Sequence, residues 1–311
     1  MTKLLPLLLA AALAVHPVKG PREAWRCSRF VAAVLKHRRS VNSWLQAGEL
    51  GGLGLSLASR PEMIGIVEWP YLHKDWTVPE RFNAVRAHYA EVDAIPWLRL
   101  EVRESRVISD LGDVVPGLSV ILDRSEWFQR EGELTLNLFI QDCRVYCLAF
   151  LLGSTDAGRV ALIGAMQGRN LDDIQDVYRT LTKKLHGARP RDFLFTTFQM
   201  VAKEAGIERI LGVSDECRHH RHPYFGNKAS TIQSVSYDEI WADREGVPLA
   251  GGFFELPTTP TIRSDDEIPV RKRSMYRKRY ALYDRVRADV ARFAGKPANG
   301  VAEAPIATGT A

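Results

Sequence analysis

The stretch from Val160 to Asp215 constrains this chain more than any other, because its local signals agree with one another throughout. Val160-Ala161-Leu162-Ile163-Gly164-Ala165-Met166 is an apolar run with the length of a buried strand. Gln167-Gly168-Arg169-Asn170 ends it, and an amphipathic helix follows. Asn170 can cap that helix, Asp172 and Asp173 place negative charge in its first turn, and Lys183 and Lys184 place positive charge in its last. Leu171, Ile174, Tyr178, Leu181 and Leu185 recur on one face. Gly187 stands where a helix end wants a residue with positive φ, and Pro190 suits the first position of a second helix. This second helix buries Leu194, Phe198, Val201 and Ala205, stops at Gly206, and leads into the strand Arg209 to Asp215. The unit therefore reads strand, helix, basic turn, helix, strand. A cationic, glycine-containing turn that opens a helix suits an anion.

Upstream, the spacing predicts basic helices over residues 21–60, broken by the glycines from Gly48 to Gly54. The cluster Trp69-Pro70-Tyr71-Leu72-His73-Lys74-Asp75-Trp76 reads as a buried aromatic brace, and a helix spans about Pro79 to Val92. From Leu98 to Met166 the period changes to two. Leu134, Leu136, Leu138 and Ile140 alternate with Thr135, Asn137 and Phe139, as in a half-buried strand, and Val145 to Leu152 follows after a turn at Gln141-Asp142-Cys143-Arg144. These strands form an antiparallel meander. Downstream, Gly251 to Pro257 is a further strand, and Ile268 to Phe293 is a basic helix in which Tyr276, Tyr280 and Tyr283 form one packed stripe. The expected divisions are an apolar N-terminal helix or signal-like segment at 1–20, a helical region at 21–97, a sheet domain at 98–260, the basic helix at 261–294 and a disordered tail at 295–311.

At 311 residues, with 25% charged residues and a net charge of +5, the chain can bury a sizeable core and favours anionic partners. Cys27, Cys143, Cys147 and Cys217 have neither disulfide-framework nor zinc-ribbon spacing, which suits a reducing compartment, and Cys147 falls inside an apolar strand as inert core. Met1 to Ala14 has the pattern of a short signal peptide with Ala12-Leu13-Ala14 as its cleavage site. The alternative is an N-terminal helix that packs or lies on a membrane. The expected location is cytoplasmic, peripheral to the inner membrane, or periplasmic if Met1–Ala14 is removed. No G-x-S-x-G, Walker loop, G-x-G-x-x-G or H-E-x-x-H occurs, which trims hydrolase, NTPase and dehydrogenase readings.

Several ordered stretches resemble the VirK/YbjX family of bacterial proteins. They are Trp69-Pro70-Tyr71, His88-Tyr89, Arg130 to Leu136, Ile163-Gly164-Ala165-Met166-Gln167-Gly168, Leu181 to Pro190, Gly212-Val213-Ser214, Tyr237-Asp238-Glu239-Ile240-Trp241 and Arg271 to Tyr280. The resemblance implies a role in virulence, envelope integrity and tolerance of cationic antimicrobial peptides. The order of elements also resembles the central unit of GNAT-like N-acyltransferases. The expected fold is therefore α+β, a mixed and mostly antiparallel central sheet with N-terminal helices and a basic C-terminal helix.

In that resemblance a loop at a helix N-terminus binds the pyrophosphate of an acyl-CoA through backbone N–H groups and the helix dipole. Here the corresponding residues are Gln167, Gly168, Lys183, Lys184, His186, Gly187, Arg189 and Arg191, with one glycine in a turn that normally carries two. Acyl transfer to an envelope-related amine or lipid needs a base for the amine and an acid for the leaving thiolate. Glu131 and Glu133 are the candidate bases, Tyr224 the candidate acid, and Asp215 lies at a strand's C-terminal end, where α/β pockets open. The alternative is a non-enzymatic protein that binds anionic lipid or phosphoglycan surfaces through Arg277, Lys278 and Arg279. Specific nucleic-acid binding is not expected. Cys217, His219, His220 and His222 crowd one loop, but their spacing fits no standard zinc site and Arg218 and Arg221 oppose a cation, so no metal is assigned.

Overall fold

Eight strands of the computed structural model form one sheet. They are β1 (Ser105–Asp110), β2 (Leu118–Asp123), β3 (Leu134–Ile140), β4 (Cys143–Thr155), β5 (Gly158–Gly168), β6 (Ile207–Val213), β7 (Val247–Leu249) and β8 (Phe253–Leu256), in the order β1-β2-β3-β4-β5-β6-β8-β7. The structure describes residues 4–47, 51–124, 126–169, 174–230 and 236–295. Every pairing is antiparallel except β5 with β6, which is parallel because a helix pair connects the two strands. The expected mixed, mostly antiparallel α+β sheet is present.

The helices are α1 (Leu4–Val15), α2 (Pro21–Lys36), α3 (Arg38–Ala47), α4 (Gly52–Ser59), α5 (Val78–Asp93), α6 (Ile174–Lys184), α7 (Pro190–Glu204), α8 (Tyr237–Ala242) and α9 (Val270–Phe293). Between α6 and α7 the expected junction holds: Gly187 has φ 82°, Pro190 opens α7, and Gly206 leaves it with φ 67°. Asn170, Leu171, Asp172 and Asp173 lie outside the described residues, as does the tail beyond Gly295. The glycines predicted to break the N-terminal helices do so only in part, since α4 begins at Gly52 and contains Gly54. The cause is Asp93, whose two carboxylate oxygens each accept the Gly52 N–H at 3.1 Å, so close that a Cβ at Gly51 would overlap it. Helix α8 has no counterpart in the sequence reading, although Ser236 caps it by accepting from Glu239 N.

The sheet is covered unequally. On one face Leu134, Leu136, Leu138, Leu148, Phe150 and Ile163 join a core that runs from Ala11 to Val290 and takes in α5, α7 and α9. On the other face a small cluster of Phe128, Cys147, Ala149 and Ala165 is the apolar cover. This second face buries the residues expected to face solvent on β3. Thr135 is 2% exposed and Asn137 is 0% exposed, with Asn137 Nδ2 donating to Thr135 O at 3.0 Å. Burial without a partner costs more than solvent exposure, so the amide turns back onto its own strand. Cys147 is buried as expected, its thiol pushed up to about 12 by desolvation.

Two features shape the region beside β5. A bulge at Gly164 breaks the register with β4, since Ala149 pairs with Ala165 and Phe150 with Ile163. A Cβ at Gly164 would overlap the backbone carbonyl of Glu131, so only glycine fits. Beyond the pair Ile163–Gly212 the parallel strands part, and α8 is set into the fork. There Met166 N donates to the Tyr237 hydroxyl at 2.9 Å, and Trp241 Nε1 donates to Val213 O at 2.9 Å.

The last helix returns to the first strand. Ser109 Oγ donates to Asp289 Oδ2 at 2.6 Å, and Arg285 bonds both Asp113 and the Asp110 carbonyl. Tyr283 stacks on Phe193 of α7, with ring centroids 5.8 Å apart.

Candidate functional site

Glu131 and Glu133 flank Gly132, whose missing side chain lets the chain press against the Phe150 backbone, and the two carboxylates enter different surroundings. Glu133 is 5% exposed and fully engaged. It accepts from the Tyr71 hydroxyl at 3.0 Å and the Tyr89 hydroxyl at 2.9 Å, and lies 3.7 Å from Arg124 Nη2. Arg124 in turn donates to Ser56 of α4 and to Tyr89 of α5. This closed network ties the N-terminal helices to the sheet, and Trp69 and Tyr71 are buried beside it as the sequence predicted.

Glu131 lies at the bulge. Gln167 Nε2 of β5 donates to its Oε1 at 2.9 Å, and His219 Nδ1 lies 4.0 Å from the same oxygen. Burial pushes the Glu131 carboxyl up to about 7, against the opposing pull of Arg218, the Gln167 hydrogen bond and Arg130. Burial, with His220, Arg130 and Arg218 adding to it, presses His219 down to about 3, so its imidazole is neutral, and its Nδ1 has no hydrogen-bond partner. A carboxyl that titrates near neutrality beside a neutral imidazole is a competent proton acceptor. Sequence reasoning set His219 aside as a poor metal ligand. Its distance of 88 positions from Glu131 leaves no periodic signal by which to find the pair.

Tyr224 is brought to this corner indirectly. Arg130 packs over the rings of Trp69, Phe225 and Tyr224 at 4.9, 5.3 and 5.7 Å, and Tyr224 is 44% exposed. Asp215 is placed differently. Its Oδ2 accepts from Ser236 Oγ and Tyr237 N, both at 2.8 Å, while its own N–H donates to Asp238 Oδ1, so it braces the start of α8 beside the Ser236 cap. Arg218 lies 3.7 Å from Asp215 Oδ1 and stacks on the Tyr237 ring at 3.8 Å.

Of the eight residues expected to hold a cofactor, three line two separate concavities. Gln167 and Gly168 line a groove of about 460 Å³ on the thinly covered sheet face, with Phe128, Phe139, Arg144 and Tyr146. Arg189 lines a cavity of about 420 Å³ between α7 and α9, facing Arg279, Tyr276 and Tyr280. Lys183 and Lys184 are exposed at the end of α6. The turn between the helices is closed from outside: Arg279 Nε and Nη2 donate to His186 O at 3.0 and 2.9 Å, while Gly187 N and Ala188 N donate back into α6 and its extension. In the first turn of α7 Pro190 has no N–H and Phe193 N donates to Arg189 O at 2.9 Å, which leaves the N–H groups of Arg191 and Asp192 to face outward. Arg191 bonds Asp243 at 3.0 Å, and Arg244 bonds Asp192, so two crossed ion pairs join α7 to the end of α8. Tyr146 lies against Gly168. Of the three α9 cations singled out, Arg277 pairs with Asp265, Arg279 holds His186, and Lys278 is exposed.

Cys217 keeps company with His73 and Asp75 rather than with His219, His220 and His222; among the described residues these three bring possible metal-ligating atoms within 4.8 Å of one another. His73 Nδ1 accepts from Asp75 N at 3.2 Å, and its ring stacks on Phe253 and Trp76. Gly252 is required there, since a side chain would overlap Cys217 Sγ.

Residues 19–292 match a family described as "Protein of unknown function (DUF535)". An uncharacterized protein of Haemophilus influenzae is 29% identical over 277 residues, covering 84% of this chain and 89% of that protein. The "Uncharacterized protein YbjX" of Escherichia coli is 24% identical over 284 residues, covering 87% and 83%. The "Membrane protein LapB" of Mannheimia haemolytica is 22% identical over 215 residues, covering 65% and 89%. No solved structure matches. The ordered stretches that carry the sequence resemblance, the extent of the family match and the similarity to YbjX agree, and the chain belongs to the VirK/YbjX family.

Proposed function

We propose that this protein is an acyl-CoA-dependent N-acyltransferase that acts on an amine of the bacterial envelope. The observation that carries the reading is Glu131, a buried carboxyl that titrates near 7 beside neutral His219, held by Gln167 at a bulged strand that parts from its parallel neighbour. Mixed order of the strands, with one parallel pair joined through two helices, supports the likeness to GNAT-like acyltransferases. In this reading the acceptor amine attacks the thioester carbonyl, a C–N bond forms as the C–S bond breaks, and Glu131 takes the amine proton. Tyr224 protonates the leaving thiolate. The first turn of α7 and Arg189 face the pyrophosphate, and the groove at Gln167, Gly168 and Tyr146 holds the acyl end. Names of the relatives, YbjX and a membrane protein, and the family's link with virulence and antimicrobial-peptide tolerance, support an envelope substrate.

The test is a thermal-shift series with acetyl-CoA and longer acyl-CoAs, repeated on Arg189→Ala and Lys183→Ala. Stabilisation of the wild type that these variants weaken supports the reading. Absence of any shift with every CoA species overturns it, and leaves a binding protein without acyl-transfer chemistry.

A further inference from the structure

We infer that α2, together with the exposed side of α1, is a docking surface for an anionic lipid bilayer. Of the thirteen large hydrophobic residues exposed among the described residues, six lie between positions 9 and 35. Leu9 is 59% exposed, Val18 50%, Trp25 58% and Leu35 59%, with Leu13 and Val31 also exposed. Such density is uncommon on a soluble surface and marks an interaction site.

The arrangement around α2 gives the partner's chemistry. At about 100° per residue, Phe30 and Val34 define the buried side. Next around the helix come Val31, Ala24, Leu35, Ser28, Ala32 and Trp25, an apolar exposed sector. Lys36, Arg29, Arg22 and Arg26 follow as a basic stripe that returns to the buried side. A helix with one packed side, one apolar exposed side and a bordering row of cations fits the plane of a membrane interface, with tryptophan at headgroup depth. Residues 19–39 carry seven basic side chains against one acid, Glu23. Among the described residues none of these seven pairs with a carboxylate, and Arg29 rests over the Trp25 ring at 4.9 Å.

Helix α9, the other basic segment, spends most of its cations internally. Arg277, Arg285, Arg287 and Arg292 pair with Asp265, Asp113, Asp284 and Asp289, and Arg279 holds the His186 carbonyl. Moreover, α1 is anchored to the fold rather than loose. Ala11 and Ala12 are fully buried, and His16 Nε2 lies 2.8 Å from Glu68 Oε2. No helix among the described residues is long and apolar enough to cross a membrane, so α1 and α2 would lie along it.

Flotation of the full-length protein with phosphatidylcholine vesicles, with and without phosphatidylglycerol, tests this. Binding is expected only to the anionic vesicles. Trp25→Ser combined with Leu35→Ser, and separately Arg22→Gln, Arg26→Gln and Arg29→Gln together, should weaken it at least roughly tenfold with unchanged melting temperature. Neutralising Arg271, Lys272 and Lys278 should leave it intact. The inference falls if the wild type ignores anionic vesicles, if the Trp25/Leu35 variant floats equally well, if only the α9 variant loses binding, or if the wild type is a dimer that the Trp25/Leu35 variant dissolves. Docking is read by flotation and acyl-CoA binding by thermal shift, so either reading can fail alone.

Discussion

Two carboxylates separated by a single glycine have opposite surroundings. Glu133 sits among Tyr71, Tyr89 and Arg124, which together satisfy it and hold the helical N-terminal region on the sheet. Glu131 has one side-chain donor, Gln167, and a neutral imidazole at 4.0 Å. The difference teaches that burial alone does not mark a reactive acid. What matters is how many hydrogen-bond donors the buried carboxyl has been given. A saturated carboxylate is a structural post, and an undersupplied one keeps its proton until pH 7.

The comparison can be broken at several points. The largest effect expected is from Glu133→Gln, which strips Arg124 of its counter-charge inside the core and should cost about 3–5 kcal/mol in urea denaturation. A loss below about 1 kcal/mol would remove the structural role. Next is the pH dependence that Glu131 imposes. Its folded pKa of about 7 exceeds the ordinary 4.5, so the folded protein holds the proton more tightly than the unfolded chain. The resulting stability is complete below pH 4.5 and is lost as pH rises through 7, by about 3 kcal/mol. In Glu131→Gln that slope should vanish from denaturation curves measured across the window. An unchanged slope would show that Glu131 is ionised throughout.

Smaller effects sharpen the assignment of the remaining candidates. Asp215→Ala removes the acceptor of Ser236 Oγ and Tyr237 N at the start of α8 and should cost about 1 kcal/mol, read by thermal melting. Acyl-CoA binding read by thermal shift should survive in this variant, and its loss would place Asp215 at the ligand as well as at α8. Arg189 is exposed at the start of α7, so Arg189→Ala should change stability by less than about 0.5 kcal/mol while weakening the thermal shift with acyl-CoA.

The helix junction was legible because it is written in local chemistry. Gly187 and Pro190 each stand at a position where backbone geometry admits few residues, and the structure places both as expected. Strand β3 has the bounds that alternation of Leu134, Leu136 and Leu138 predicts. Alternation could not show that Thr135 and Asn137 are buried as well, because that depends on Phe128 covering the second face. Helix α8 was missed because six residues are too few for a periodic pattern, although Ser236 and the acids Asp238 and Glu239 are start signals. The site was legible only in pieces. Glu131 and Gln167 are visible as polar residues at strand ends, but His219 joins them through the tertiary path of a loop, as Cys217 joins His73. Similarly, a basic run looks alike whether its charges are paired or free, and only the positions of Asp265, Asp113 and Asp284 distinguish α9 from α2.

The return of α9 to β1 also sets an order of events during synthesis. Ser109 and Asp289 are 180 positions apart, so a growing chain emits β1 long before the helix that fastens to it exists. Until then β1 is an unprotected outer strand, open to pairing with other chains. The N-terminal helices and the meander can assemble early, but the sheet is sealed only once α9 (Val270–Phe293) has been made. A protein truncated before residue 270 should therefore be prone to aggregate rather than merely to lose a basic helix.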